Sequence, residues 1–246
     1  MTAAAPIEFL DEVDSTNAEA RRRAEAGEVG PIWIAARRQT AGRGRRGRVW
    51  ETGAGNLAAT LLMRTARPPA EAAQVSFVAA LAAAALADAF VPPAGVSLKW
   101  PNDLLIGGRK AAGILVESGA YLGGALWLAV GVGVNLATAP LALERPATTF
   151  AEHMDGPAPT PSETLPVLAA AFARFTGLWD DEGFPAIAAA WTARAHGLGQ
   201  ACTARLARET LFGVAEGLDP DGAFRLRMAD GAVVKVTAGD VFFEEA

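Results

Sequence analysis

Two pairs of glycines interrupt the middle of the sequence, and each pair lies between apolar segments of strand length. Residues 96–106 lead through Gly107-Gly108 into 110–118, and Leu122-Gly123-Gly124 lead into 125–136. Glycine pairs placed in this way are typical of hairpin turns. The sequence therefore predicts two successive β-hairpins, which require a sheet with antiparallel pairing.

The remaining elements are predicted from hydrophobic periodicity and from turn and cap residues. A strand over 7–13 precedes a helix that runs to about Ala26 and opens with a capping box formed by Thr16 and Glu19. The other predicted elements are strands over 31–36 and 56–63 and helices over 71–90, 162–179 and 184–195, with a long loop over 40–55. This order predicts an α+β fold with a mixed, largely antiparallel sheet and flanking helices.

The pattern of apolar and turn-forming residues changes after residues 196–199. Short alternating segments follow, separated by turn sequences at 217–222 and 229–231. Such spacing is typical of a small β-barrel of about 45 residues. We therefore expect one domain over 1–198 and a second over 199–246.

Several classes of protein are excluded by composition. Cys202 is the single cysteine, which excludes an internal disulfide framework and suggests a reducing compartment. Two distant histidines are too few for a His-rich metal cluster. The N-terminus lacks a signal peptide, and the apolar window 75–91 is short and interrupted by Asp88, which indicates a core helix and not a membrane span. We expect a cytoplasmic protein.

The basic residues are concentrated in one place. The chain carries a formal charge of −5 and only three lysines among its 22 basic residues, yet six arginines fall within 37–48. The segment 42–47 matches GxGxxG, but no helix, acidic residue or lysine follows where a dinucleotide, kinase or P-loop site needs it. Four arginines among glycines suit a phosphate or carboxylate. A solvated basic loop or a nucleic-acid patch is the alternative interpretation.

Three further segments favour a small-molecule site. Residues 99–103 (KWPND) end a strand with a lysine followed by turn-forming residues. Lys110 stands at the start of an apolar strand, where its side chain either lies on the protein surface or faces a ligand. The segment 131–134 alternates glycine with valine, which strips side chains from one face of a strand. Asn135 adds a donor and an acceptor beside this bare face. Together they predict a floor for a flat organic ligand next to a cationic loop.

These motifs, in this order and spacing, resemble the biotin protein ligases. The matching pieces are residues 15–17 (STN), Gln39 with 42–48 (GRGRRGR), 99–103, 108–115 and 131–135. The resemblance covers essentially the whole chain. It implies the class II synthetase-like catalytic fold with a C-terminal SH3-like β-barrel. It also implies a two-step reaction, in which biotin and ATP form biotinyl-5′-AMP and a lysine of the biotin carboxyl carrier protein then takes the biotin.

The resemblance also implies roles for individual residues. Lys110 and Arg45 are the catalytic candidates, Asp103 orients the attacking amine or serves the metal, and Mg²⁺ is carried mainly by the ATP phosphates. The implied biotin-binding set is Ser15, Thr16, Asn17, Gln39, Gly42, Arg43, Gly44, Arg45, Lys110, Gly113 and Gly133. The implied ATP- and adenylate-binding set is Arg43, Arg45, Arg48, Trp50, Asn102, Lys110 and Asn135.

Other expectations concern partners. The motif at 15–17 lies too near the start for the DNA-binding domain that some family members carry, so we expect an enzyme without repressor function. The acidic tail 244–246 does not favour a nucleotide contact from the small domain. The sequence is compatible with a monomer or a homodimer. Lipoate ligases share the architecture and are the nearest alternative.

Overall fold

The computed structural model describes residues 5–92, 95–140 and 146–243. The larger part contains the strands β1 (Ile7–Val13), β2 (Ile32–Gln39), β3 (Leu57–Thr65), β4 (Val96–Lys99), β5 (Asp103–Ile106), β6 (Arg109–Ala120) and β7 (Leu126–Val134). Its helices are α1 (Thr16–Glu25), α2 (Pro69–Ala72), α3 (Val75–Phe90), α4 (Pro161–Glu182) and α5 (Phe184–Thr192).

The seven strands form one sheet in the order β1-β2-β3-β7-β6-β5-β4. Only β1 and β2 pair in parallel, so the predicted mixed, largely antiparallel sheet is confirmed. Both glycine-pair hairpins are present, joining β5 to β6 and β6 to β7. The register places Gly113 directly opposite Gly133.

One predicted strand is wrong in extent. Residues 96–106 form two strands, β4 and β5, which fold back on each other at Trp100-Pro101. Proline has no N–H to donate to a ladder, so a strand does not continue through it. The fold-back places Lys99 opposite Asp103, and Asp103 opposite Gly113. A row of facing residues thus crosses four strands and ends in two charged side chains.

The start of α1 also differs from the prediction. Its N-cap is Ser15, whose side chain makes no capping bond, and Thr16 is the first helical residue. Glu19 pairs with arginines of its own helix, so the predicted capping box is absent. A capping box is found instead at α4, where Thr160 and Glu163 bond each other's backbone N–H. The predicted helix over 71–90 is divided into α2 and α3.

The core lies between the sheet and α3. Eleven of the sixteen residues of α3 are buried, and the valines of β7 face them. The segment Pro69–Phe90 is long and apolar enough to span a bilayer, but 67% of its most apolar window is buried in the protein. The prediction of a core helix is confirmed. The opposite face of the sheet packs against α1, and the indole of Trp50 lies on it beside that helix.

The C-terminal part is a five-stranded antiparallel sheet in the order β11-β10-β9-β8-β12. Its strands are β8 (Ala201–Arg205), β9 (Thr210–Leu218), β10 (Phe224–Arg227), β11 (Val233–Val236) and β12 (Asp240–Phe243). This arrangement is consistent with the expected SH3-like fold. The acidic tail 244–246 lies outside the described residues.

The small sheet packs on the turn between β4 and β5. The indole of Trp100 lies 5.5 Å from the Phe224 ring, centroid to centroid, and its N–H donates to the carbonyl of Gly222 at 3.2 Å. The backbone of Leu98 also pairs with Arg194 and His196 in the connecting segment. The turn that positions Asp103 is therefore buttressed by the C-terminal sheet.

The burial of α3 predicts a stability effect. Leu86 is fully buried, whereas Ala89 on the same helix is exposed. Leu86→Ala is expected to lower the free energy of unfolding by about 2–5 kcal/mol, because it removes buried methylene groups and leaves a cavity. Ala89→Ser, the matched control, is expected to change it by less than about 0.5 kcal/mol. Urea denaturation measures both, and equal effects would contradict the assignment of α3 as the core helix.

Candidate active site

A cavity of about 390 Å³ opens on the face of the large sheet that α1 only partly covers. It brings together nearly all of the predicted site residues, which come from α1, the arginine-rich loop and the strands β2, β5, β6 and β7. The predicted residues that line it are Ser15, Thr16, Asn17, Gln39, Arg43, Gly44, Arg45, Arg48, Trp50, Asn102, Asp103, Lys110, Gly113, Gly133 and Asn135. Gly42 is outside the lining.

One part of the cavity wall is uncharged and rich in hydrogen-bonding groups. Thr16 at the start of α1 donates from its backbone N–H and its hydroxyl to Oε1 of Gln39, at 2.8 and 3.2 Å. Nε2 of Gln39 donates to the hydroxyl of Thr52. Ser15 is buried, lines the cavity, and makes no capping bond to α1 with its side chain. These groups form a fixed polar surface.

Asn17 is held by several partners at once. Its Nδ2 donates to Glu117 at 2.8 Å and to the carbonyl of Leu115, and the Thr60 hydroxyl lies 2.7 Å from its Oδ1. A Cβ on Gly131 would lie 2.2 Å from that same Oδ1. The first glycine of the 131–134 alternation therefore makes room for Asn17.

The second glycine of that alternation supports an aromatic ring. Gly133 and Gly113 face each other across β7 and β6, and the indole of Trp50 lies over both. A Cβ at Gly133 would come 2.4 Å from Cε2 of Trp50, and one at Gly113 would come 3.2 Å from Cζ3. The predicted bare face of the strand is present, and the indole of Trp50 lies on it; that a ligand uses this face stays a prediction.

A buried carboxylate organises the lysines of the site. Lys110 Nζ lies 2.5 Å from one oxygen of Asp103, and Lys99 Nζ lies 2.8 Å from the other. Burial by itself would raise the pKa of Asp103, but the two ammonium groups outweigh it and hold the pKa well below its usual range. Lys110 is the more exposed lysine, and its ammonium lies 5.6 Å from the Trp50 ring centroid. Its charge therefore faces the cavity.

The arginine-rich part of the predicted long loop is folded into a short hairpin, with an isolated bridge between Arg43 and Val49. The N–H of Trp50 donates to the carbonyl of Gly42, and the N–H of Gly44 donates to that of Arg48. The turn has positive φ at Arg46 (57°) and Gly47 (72°). A Cβ on Gly42 would lie 2.3 Å from the carbonyl oxygen of Trp50. Gly42, expected to bind ligand, thus serves the hairpin itself.

The arginines of this hairpin meet a carboxylate from the small sheet. Asp240 lies 3.0 Å from Arg48, 3.3 Å from Arg46 and 3.6 Å from Arg45, measured from oxygen to nitrogen. Burial lowers the pKa of Arg45 below its usual value, and Asp240 only partly offsets this. On the other side, Arg43 lies 3.9 Å from Glu117.

The two asparagines of the implied adenylate-binding set, Asn102 and Asn135, both donate to backbone carbonyls. Nδ2 of Asn102 donates to the carbonyl of Ile114 at 2.7 Å, while its Oδ1 accepts from Arg45 at 3.3 Å. Nδ2 of Asn135 donates to the carbonyl of Thr148. Asn102 therefore links the arginine hairpin to the β4–β5 turn.

Sequence reasoning missed several residues of the site, among them three that bond to predicted ones. Asp240 lines the cavity, Thr60 bonds to the 15–17 motif, and Glu117 holds Asn17. A threonine within the apolar strand β3 was an available signal for Thr60. Asp240 offered none, because its position depends on how the small sheet packs.

The residues that the structure describes show no group of three or more His, Cys, Asp or Glu side chains that could hold a metal ion. The carboxylates of Asp103 and Asp240 are both engaged by cations. This donor set does not fit a protein-held Mg²⁺, and the predicted metal role of Asp103 is not supported.

The buried Lys99–Asp103–Lys110 group predicts a pH-dependent loss of stability. Asp103→Asn is expected to lower the free energy of unfolding by about 3–5 kcal/mol near neutrality, because buried ammonium charge loses its partner. The lowered pKa means that this contribution is complete above the usual aspartate pKa and is lost as the pH falls from there toward the folded-state value. The difference from the wild type should therefore be flat from pH 7 to 5 and shrink below about pH 4.

Denaturation at several pH values measures this difference. Asp11→Asn is the control, since Asp11 is almost fully exposed in its ion pair with Arg37. A gap between wild type and Asp103→Asn that stays constant down to about pH 2 would refute the assignment.

Known proteins are similar to this chain along most of its length. Residues 11–135 match the model of the biotin/lipoate A/B protein ligase family, and residues 197–244 match the biotin protein ligase C-terminal domain. The chain is 47% identical over 240 residues to the biotin–[acetyl-CoA-carboxylase] ligase of Paracoccus denitrificans, covering 96% of this chain and 99% of that protein. It is 30% identical to the bifunctional ligase/repressor BirA of Bacillus subtilis, covering 95% and 72%.

Solved structures agree. The Aquifex aeolicus biotin protein ligase in complex with biotin and ATP superposes with a TM-score of 0.80 at 25% identity, covering 98% of this chain and 99% of that one. The Leishmania major enzyme in complex with biotinyl-5-AMP gives 0.67 at 26% identity, covering 95% and 99%. The chain belongs to the biotin protein ligase family.

Proposed function

We propose that this protein attaches biotin to a lysine of the biotin carboxyl carrier protein of a biotin-dependent carboxylase, using ATP and forming biotinyl-5′-AMP. The observation that carries the proposal is the set of residues that line the cavity described above. It combines an uncharged hydrogen-bonding wall at Thr16 and Gln39 with the cations Lys110 and Arg45. A ureido ring suits the first, and a carboxylate beside phosphates suits the second. The names of the Paracoccus relative and the Aquifex complex support it.

In the first step, the biotin carboxylate attacks the α-phosphorus of ATP, and the bond to the pyrophosphate breaks. Both reactants are anions, so catalysis needs positioning and charge stabilisation. We assign these tasks to Lys110 and Arg45. The ion pair with Asp103 limits the positions that the Lys110 ammonium can take.

In the second step, the acceptor amine attacks the carbonyl carbon of the mixed anhydride. The amide forms as the amine loses a proton and AMP leaves. Asp103 is a weak proton acceptor, because its pKa is lowered by two lysines. Asp103 therefore orients the ammonium group of Lys110 and does not accept a proton. That it also orients the incoming amine stays a prediction.

We assign the remaining roles as the family resemblance implies, and the positions of the residues in the cavity support them. Ser15, Thr16 and Gln39 bind the ureido ring, while Asn17 shapes that wall through its fixed bonds. Gly113 and Gly133 give the ligand access to the floor where Trp50 now rests. The adenylate is held by the guanidinium groups and by Trp50, Asn102 and Asn135, and Arg43 with Gly44 closes over biotin.

The organisation of the chain is part of the proposal. Residues 1–198 form the catalytic domain, and residues 199–246 form the SH3-like domain. The enzyme acts in the cytoplasm, where its substrates biotin and ATP are available. Mg²⁺ enters with the ATP phosphates, and no step here relies on a protein-held ion.

Mass spectrometry of a purified carrier domain tests the function. Incubation with this protein, ATP and biotin is expected to add one biotin, and the same mixture with lipoate is expected to add nothing. Addition of lipoate in place of biotin would move the protein to the lipoate ligases. Failure to add either, with salt-sensitive DNA binding, would favour the nucleic-acid interpretation of the arginine segment.

Lys110→Ala tests the catalytic assignment. The variant is expected to lose at least about 100-fold in adenylation rate, because the stabilising charge acts on the transition state. Lys235→Ala is the matched control, since Lys235 is bound by Asp219 and Asp221 of the small sheet, outside the cavity lining. Pyrophosphate release measures both variants. Unchanged release in Lys110→Ala with a native circular dichroism spectrum would refute the assignment.

The arginine hairpin is proposed to act as a lid that excludes water from the hydrolysable adenylate. Tryptic cleavage within 42–55 is expected to slow when biotin and ATP are added together. Arg208, exposed in the turn between β8 and β9, is the internal control and should be cut at the same rate in both conditions. Equal cleavage of the hairpin with and without ligands would sink the lid hypothesis.

A further inference from the structure

The small sheet contributes one side chain to the cavity lining that the structure describes, Asp240 at the start of β12. Its side chain is only 15% exposed. Its neighbour Gly239 supplies a carbonyl that accepts from Arg45 at 3.1 Å. The end of the chain therefore contacts the arginine hairpin at two successive residues.

Asp240 is the common partner of three arginines. Arg48 reaches both carboxylate oxygens, at 3.0 and 3.2 Å, while Arg46 lies 3.3 Å from Oδ2 and Arg45 lies 3.6 Å from Oδ1. Each guanidinium has five N–H donors, whereas the carboxylate has two oxygens. Most donors of the three arginines are thus left for another anion.

The hairpin needs such a partner. Three like charges within four residues repel one another, and Arg46 adopts a left-handed conformation that is unfavourable for a side chain. One carboxylate lowers the net charge of the group from +3 to +2 and fixes the direction of each guanidinium. Arg45 is further tied to Asn102 of the β4–β5 turn.

We propose that Asp240 is a positioning residue for nucleotide binding: its carboxylate holds the arginine hairpin over the cavity before ATP arrives and leaves the remaining guanidinium donors for the phosphates. This rests on the proposed function only in naming ATP as the anion. It makes the small sheet part of the nucleotide site, although the acidic tail did not favour such a contact. Asp240 touches the arginines and not the reacting atoms.

Two other roles for Asp240 make different predictions. If Asp240 only stabilises the packing of the small sheet against the arginine hairpin, its loss lowers the free energy of unfolding and leaves the ATP affinity unchanged. If it is a competing anion that blocks the arginines, its loss makes ATP bind more tightly. A positioning role predicts weaker ATP binding together with a loosened hairpin.

The experiment compares the full-length variants Asp240→Asn and Asp240→Glu with the wild type. Asp221→Asn is the matched control, because Asp221 is an ion-paired aspartate of the same small sheet that lies outside the cavity lining. In the protein without ligands, Asp240→Asn is expected to raise tryptic cleavage within 42–50 roughly tenfold, with cleavage at Arg208 unchanged. Equal acceleration at both sites, or at neither, would overturn the positioning role.

Calorimetric titration with ATP supplies the second readout. Asp240→Asn is expected to raise the Kd for ATP roughly tenfold, while the Kd for biotin alone stays within about twofold. Asp240→Glu should recover most of the ATP affinity, and Asp221→Asn should match the wild type. Unchanged or tighter ATP binding in Asp240→Asn would overturn the proposal, and Asp240→Ser, which also removes the carboxylate, gives the same comparison if the asparagine variant does not fold.

The two proposals can fail separately. A wild-type protein that binds ATP but never biotinylates the carrier would refute the proposed function, while the cleavage and ATP affinity of Asp240→Asn would still decide the role of Asp240. A wild-type protein that biotinylates the carrier, with Asp240→Asn indistinguishable in both assays, would refute the role of Asp240 alone.

Discussion

The buried carboxylate of Asp103 between two lysines is the interaction on which the site depends. A buried carboxylate without its partners would lower the stability of the fold, and so would the buried ammonium of Lys99 without Asp103. The fold-back at Trp100-Pro101 brings Lys99 and Asp103 opposite each other, and the small sheet supports that turn through Trp100. Secondary structure, domain packing and charge placement thus all act to position this one carboxylate and its two lysines.

The same principle recurs around the cavity. Its cations form ion pairs with carboxylates of the protein. Asp103 pairs with Lys110, Asp240 pairs with three arginines, and Glu117 lies near Arg43. Each pairing places a positive charge without neutralising the whole group. A site for two anionic substrates needs this arrangement, because it must be ordered before they bind and still attract them.

Much of the fold could be predicted, because glycine pairs, periodicity and apolar runs are local signals. The strand over 7–13 and both glycine hairpins were predictable for this reason. The capping box at Thr16 failed, because the tertiary contact of Thr16 with Gln39 outweighs the local pattern. Of the site, the motif residues could be named, and most of them line one cavity. Asp240 could not, since its approach to Arg48 depends on packing between elements 192 residues apart.

The pairing of Gly113 with Gly133 means that the floor of the cavity is defined by register and not by any side chain. In a ladder, a slip of one residue turns every side chain to the other face. A slip between β6 and β7 would therefore bring a valine of β7 to the place where Trp50 rests, with no change in composition. The length of the turn near residues 121–125 is thus as much a determinant of what fits into the cavity as the residues that line it.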